Sequence, residues 1–392
     1  MTRLTVRTSL LPPAPRPDSP VRVDLSGGWV PDVWLGAPAP GGLALPQANP
    51  TMAWMYSPRG VFFDERHLVV ADSGNHRVLI WHGLPTCDEQ SADVVLGQPD
   101  GTTEGHAAAG RGPENGMNLP TGVLIQDGRL IVADAWHHRI LVWNAVPETN
   151  WIPPDLVIGQ PDRTAVEPNS GGECSASSMY WPFGIAIIDS VFWVADTGNR
   201  RVLGWDGGLP EPGRPADIVL GQPDAANREE NRGEHVGPAS FRWPHSISGR
   251  DDLLLIADAG DHRVLGWSPP PRGDRPADRL LGQPDFTTAR EWPYGPQCGD
   301  RFRFPYAVSM DRDRVAIADT ANNRILLWDD MPADGEPADH VLAQPTFADN
   351  GENRWKAVTH DSLCWPYGVW LRGDRLAVAD SGNNRIIIWR RR

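Results

Sequence analysis

Six side chains follow a proline at a near-constant interval: Arg59, Thr121, Phe183, His245, Tyr306 and Tyr367, spaced 62, 62, 62, 61 and 61 residues apart. Imidazole titrates near neutral pH and can move a proton, phenols donate hydrogen bonds, and a guanidinium binds a carboxylate or steadies an oxyanion. His245 is therefore the candidate base, Tyr306 and Tyr367 the candidate donors, and Arg59 the candidate anion binder. The residues before the same prolines are Ser57, Leu119, Trp181, Trp243, Phe304 and Trp365, most of them large and aromatic. Together with Thr121 and Phe183 they describe an aromatic-walled cup with a few orienting polar groups, the usual pattern of a small-molecule or peptide-end site. The alternative is that these side chains only plug a channel.

A second set could hold a metal. Cys174, Cys298 and Cys364 share the stretches leading to these prolines with His106, His235 and His360. Thiolate with imidazole suits Zn or Cu, so Cys174, Cys298, Cys364 and His245 form a candidate ligand set. The cysteines stand eight, seven and two residues before their prolines, however, so spacing does not bring them together. A free Cys is also commonly a small buried apolar residue, and that reading stays open.

The elements that must position these residues come from a repeat. ADSGNHRVLIW, ADAWHHRILVW, ADTGNRRVLGW, ADAGDHRVLGW, ADTANNRILLW and ADSGNNRIIIW recur with the same 61 to 62 residue period. Each period reads as four short strands: one after the Pro, one ending in Ala-Asp, one from Arg to Trp, and one of the DVVLGQPD type. Four strands without a helix describe one propeller blade, and six copies predict an all-β, six-bladed β-propeller. The sixth copy lacks a fourth strand, and Asp32 to Pro38 resembles it, so an N-terminal strand is expected to complete the last blade. Residues 1–30 then form a Pro-rich lead-in and residues 31–392 a single propeller domain.

Agreement among the copies marks architecture. An Asp and an Arg five residues later recur in all six, for example Asp72 and Arg77, and read as a buried ion pair between strands two and three. The Trp ending the third strand reads as core. His76, His138 and His262, in the turn between those strands, read as solvated. The five connections from Gln98, Gln160, Gln222, Gln283 and Gln344 to the next strand-opening Pro are long, and are expected to converge on the channel mouth.

The Ala-Asp, the Asn-x-Arg and the Pro-x-Gly-Val entry resemble the NHL-repeat family of β-propellers from about residue 30 onward. That family's functions are diverse, so the resemblance implies the fold and selects no activity. A weaker similarity, carried by WPHSISGRDDLLLIADAGDHRVLGW, is to the NHL-type lyase that cleaves peptidyl-hydroxyglycine, which holds a metal through His at the after-Pro position of three blades. His245 matches one of them, and the other five positions lack His. The resemblance thus implies a lyase or hydrolase as the alternative to a ligand-binding propeller, with a protein-interaction scaffold as a third class.

Composition limits the partners. With 36 basic against 50 acidic side chains and a net charge of −14, a polyanion such as nucleic acid is not expected as a partner. The 40 Gly and 39 Pro rule out a helical bundle. Neither a secretory signal nor a membrane-spanning run is legible, which predicts a cytoplasmic protein without membrane contact. Four Cys make no disulfide framework.

Overall fold

The computed structural model describes residues 24–292 and 296–392. Six four-stranded antiparallel sheets stand around an axis as six blades, and the predicted all-β propeller is the observed architecture. Blade 1 runs outward through β2 (Gly60–Phe63), β3 (His67–Asp72), β4 (Arg77–His82) and β5 (Val94–Leu96). The innermost strands of blades 2 to 6 open on Pro120, Pro182, Pro244, Pro305 and Pro366. A proline suits a strand's first position, because it has no amide to give to the ladder.

Blade 6 is completed by the N-terminal strand, as the repeat count predicts. β1 (Trp29–Gly36) pairs antiparallel with the last strand of the chain (Arg385–Arg391), with Trp34 opposite Ile387. It extends further than the three-residue outer strand of blade 1, and a register shift lies between Pro31 and Val33. Of the expected lead-in, residues 1–23 lie outside the described residues. Leu25 accepts a hydrogen bond from the Val341 amide, so the chain reaches β1 along the outside of blade 5.

Each blade is sealed by its ion pair. All six Asp and Arg side chains are buried, with Arg Nε 2.6 to 3.1 Å from Asp Oδ2. Breaking one partner of such a pair strands a buried charge. The Arg has a second task that the repeat comparison did not reveal. Its terminal nitrogens donate to loop carbonyls, as Arg77 does to Thr51, Trp54 and Gly101, and so tie the long connections down over their own blades. The recurrent Gln after the fourth strand adds a further anchor, with Gln98 Nε2 donating to the Asn75 and Gly105 carbonyls. The Trp closing each third strand is buried, as expected.

The three turn histidines are not solvated. His138 and His262 are buried, and each of the three accepts a hydrogen bond at Nδ1 from the next blade: Leu119 N to His76, Trp181 N to His138 and Phe304 N to His262, all 3.1 Å. Asn323 does the same for Trp365 N, and Asn384 for Ser57 N, which closes the ring from blade 6 back to blade 1. Burial pushes His138 and His262 down to about 4, so both stay neutral and able to accept. Each donor residue sits in the left-handed region, with φ between 47° and 51°. Such a conformation is costly for a non-glycine residue and is held here by that bond.

One seam departs from this rule. Blade 3 has Arg200 at the turn, which offers no acceptor, and Trp243 accordingly does not take the left-handed conformation. Its amide is instead 3.0 Å from Asp258 Oδ1, within its own blade.

Candidate functional site

The after-Pro residues meet at the axis because the inner strands crowd there. A Cβ on Gly60 would lie 1.7 Å from the Thr121 carbonyl, and one on Gly184 would lie 2.4 Å from that of His245. Only residues without side-chain bulk allow this approach at those two positions.

Arg59, Thr121, Phe183, His245, Tyr306 and Tyr367 all line one axial cavity of about 80 Å3. Four of them form a continuous wall. Phe183 and His245 stand 4.5 Å apart between ring centroids, His245 and Tyr306 4.5 Å, and Tyr306 and Tyr367 4.4 Å in parallel stacking. Arg59 extends the wall, its guanidinium 5.0 Å over the Tyr367 ring. The sixth residue turns aside: Thr121 is buried and donates its hydroxyl to the Phe183 carbonyl. The axis itself therefore has room for a few waters at most. The ring side chains thus fill most of the channel at its axis.

The larger space lies above, off the axis and over blades 2 to 4. A cleft of about 490 Å3 has Arg59, Phe183, His245 and Tyr306 as its floor and Trp136, Tyr180, Trp181, Arg200 and Trp243 among its walls. That volume falls in the range of small-molecule sites. Trp136 stacks on Trp181 at 5.6 Å, and Arg242 lies 5.1 Å over Trp243. Phe304 and Trp365 stand outside this cleft. Phe304 stacks behind Trp243 at 6.2 Å, and Trp365 donates its indole N–H to Glu352.

Trp136, Tyr180 and Arg200 are wall residues outside the proline-flanking positions, and for Trp136 the repeat carries a signal. The equivalent turn positions are Gly74, Gly198, Gly260, Ala321 and Gly382. A Cβ at Gly74 would lie 2.4 Å from Tyr56 and one at Gly198 2.5 Å from Tyr180, whereas blade 2 carries Trp136 at this position, its amide donating to the Asn118 carbonyl. Trp136 is 44% exposed and faces the cleft.

His245 and Tyr306 in the floor are neutral. His245 Nδ1 lies 3.0 Å from the Trp243 carbonyl, which can only accept, so Nδ1 carries the proton and Nε2 the lone pair. Burial and, secondarily, the charge of Arg59 hold His245 down to about 4. Burial also pushes the Tyr306 phenol up, helped by its neighbour Tyr367.

The metal set is not assembled. Cys174, Cys298 and Cys364 each lie beside the ion pair of a different blade: Cys174 near Arg201, Cys298 with its carbonyl on Arg324, and Cys364 with its amide on Asp380. None of them joins His245, and among the described residues no group of three His, Cys, Asp or Glu could hold a metal ion. Burial pushes the thiols up, to about 11 for Cys298 and about 12 for Cys364, so the thiolate a Zn or Cu site needs is disfavoured. Those residues do not fit the metal. All four cysteines are free. The long loops also differ from expectation. Held over their blades by the Arg anchors, they reach the cavities only through their last residues, Tyr180, Trp181 and Trp243.

Comparison with known proteins bears on the fold. Residues 55–81 match the family model of the NHL repeat. NHL repeat-containing protein 2 of Gallus gallus is 34% identical over 145 residues, covering 35% of this chain and 18% of that protein. Its Homo sapiens counterpart is 31% identical over 146 residues, with the same coverage. The match thus spans less than a fifth of these relatives. A structural genomics protein of unknown function from Bacteroides thetaiotaomicron VPI-5482 superposes with a TM-score of 0.52 at 12% identity, over 92% of this chain and 75% of that one, a likeness of fold alone. No helix among the described residues is long and apolar enough to cross a membrane.

Proposed function

Starting from a six-bladed propeller that carries the NHL repeat, we propose that the chain binds a small aromatic or amphipathic molecule, or a peptide end, in the cleft over blades 2 to 4. The observation that carries this reading is the 490 Å3 space walled by Trp136, Trp181 and Trp243 above a floor of Arg59, His245 and Tyr306. Aromatic walls supply apolar burial and stacking, and the few polar groups orient the guest.

Catalysis has weaker support. A general base works best with a pKa near the operating pH, and His245 at about 4 is a weak base although it is neutral. Its Nε2 lone pair suits the acceptance of a hydrogen bond better than the removal of a proton. Isothermal titration calorimetry with indole tests the binding reading. A saturable heat lost in Trp181→Ala supports it, and no saturable heat up to millimolar indole refutes it.

A protein-interaction platform is the second reading, supported by aromatics exposed away from the axis. Trp355 is 67% exposed, and Tyr56 and Trp365 are partly so. Pull-down with Trp355→Ser beside Trp181→Ala separates the two: loss of a partner only in the former favours the platform.

A further inference from the structure

The charge around the cleft is opposite to that of the protein. The chain carries a net −14, yet the residues lining the axial cavity and the cleft include two arginines, Arg59 and Arg200, and no Asp or Glu. Elsewhere the chain pairs its buried arginines with carboxylates without exception in the six repeats. Arg59 forms no ion pair among the described residues, and its buried Nε has no hydrogen-bond partner. The Nε of Arg200 is likewise buried and unpartnered, while its terminal nitrogen donates to the Gly198 carbonyl. Tyr367 gives Arg59 the face of a ring, which is attractive but does not neutralise it. Guanidinium N–H groups kept out of water without an acceptor are costly, and a carboxylate would satisfy them in the fork geometry that arginine favours.

We propose that the guest of this cleft is an aromatic carboxylate, with its ring between Trp136, Trp181 and Trp243 and its carboxylate at Arg59. This inference rests on the binding reading above and adds the guest's charge to it. Arg200, on the rim, contributes a second positive charge at longer range. His245 Nε2 faces the guest as an acceptor, so a donor such as an indole or amide N–H next to the ring is favoured. Free aromatic acids and the C-terminal carboxylate of a peptide ending in an aromatic residue share this chemistry.

The test compares indole-3-acetate with the neutral indole-3-acetamide by isothermal titration at low and at 0.5 M salt, and adds a short peptide ending in Trp as free acid and as amide. The expected result is a preference of roughly tenfold or more for acid over amide, reduced by salt. Arg59→Gln should abolish the preference, and Arg59→Lys should restore part of it, which excludes a folding defect. Equal affinity for acid and amide in the wild type overturns the charge inference and leaves the cleft as a neutral binding site. Failure of both probes and both peptides to bind overturns the binding reading itself. Binding of the peptide acid alone identifies a chain terminus as the source of the carboxylate, and binding of the free acid identifies a small molecule.

Discussion

Asp261 supplies the sharpest prediction about stability. In blades 1, 3, 5 and 6 the turn holds Asn75, Asn199, Asn322 or Asn383, whose Nδ2 donates to the ion-pair Asp at 2.7 to 2.9 Å. Blade 2 uses His137 for the same purpose. Blade 4 has Asp261 there, buried beside Asp258, with Oδ2 unpartnered and 3.6 Å from Arg263. A carboxylate cannot donate to another carboxylate, so Asp261 must keep its proton to do the work of the Asn. Burial first, and the charge of Asp258 second, raise it to about 7 from an ordinary 3.8.

Because the folded pKa lies above the unfolded one, the folded state binds more protons between those values. Stability falls as pH rises through that window and levels off above it. A rise from 3.8 to about 7 amounts to about 4 kcal/mol in full, of which about 3 kcal/mol is lost between pH 5 and pH 8. Asp261→Asn installs the donor without a charge. Urea unfolding of wild type and variant, taken as a difference so that other titrations cancel, should show the variant's advantage growing by about 3 kcal/mol from pH 5 to pH 8. A difference that stays flat over that range would refute the assignment.

Other outcomes follow from the same contacts. Trp181→Ala should weaken binding of any aromatic guest by about 1 to 3 kcal/mol with little change in melting temperature, measured by titration calorimetry. Arg200→Asn should supply the missing acceptor, draw Trp243 into the left-handed conformation, and change the cleft; altered ligand affinity with an unchanged fold by circular dichroism would show it. Arg77→Ala should destabilise the protein by about 3 to 5 kcal/mol, since Asp72 is left buried and three loop carbonyls lose their donor; denaturant midpoints report it. Gly60→Ala, forced against the Thr121 carbonyl, should cost about 4 kcal/mol or more in the same assay.

Much of this molecule is legible in its sequence. Tandem copies act as an internal alignment, so the blade count, the strand that completes blade 6, the buried ion pairs and the after-Pro ring can all be read from spacing alone. What escapes is long-range partnership. The turn histidines look like surface residues because their partners, such as Leu119 for His76, lie 43 positions away across a seam. The cysteines look like ligands because sequence offers no measure of the distance between blades. The long loops seem free to reach the axis until the second function of the arginines is seen. Trp136 carries a signal of the same kind as the after-Pro ring, one large residue against five small ones.

The exception at Arg200 gives the cleft a particular mechanical character. The Trp181 amide is bonded across a seam to His138 of the preceding blade, whereas the Trp243 amide is bonded inside its own blade. The cleft is thus a clamp with one jaw bonded across a blade seam and one bonded within a single blade. The seam-bonded side would decide which shapes are admitted, while the other takes up differences in thickness. A molecule gripped between the two would supply the cross-link that the chain omits at this joint, and hydrogen exchange at Trp243 should slow when the clamp is filled.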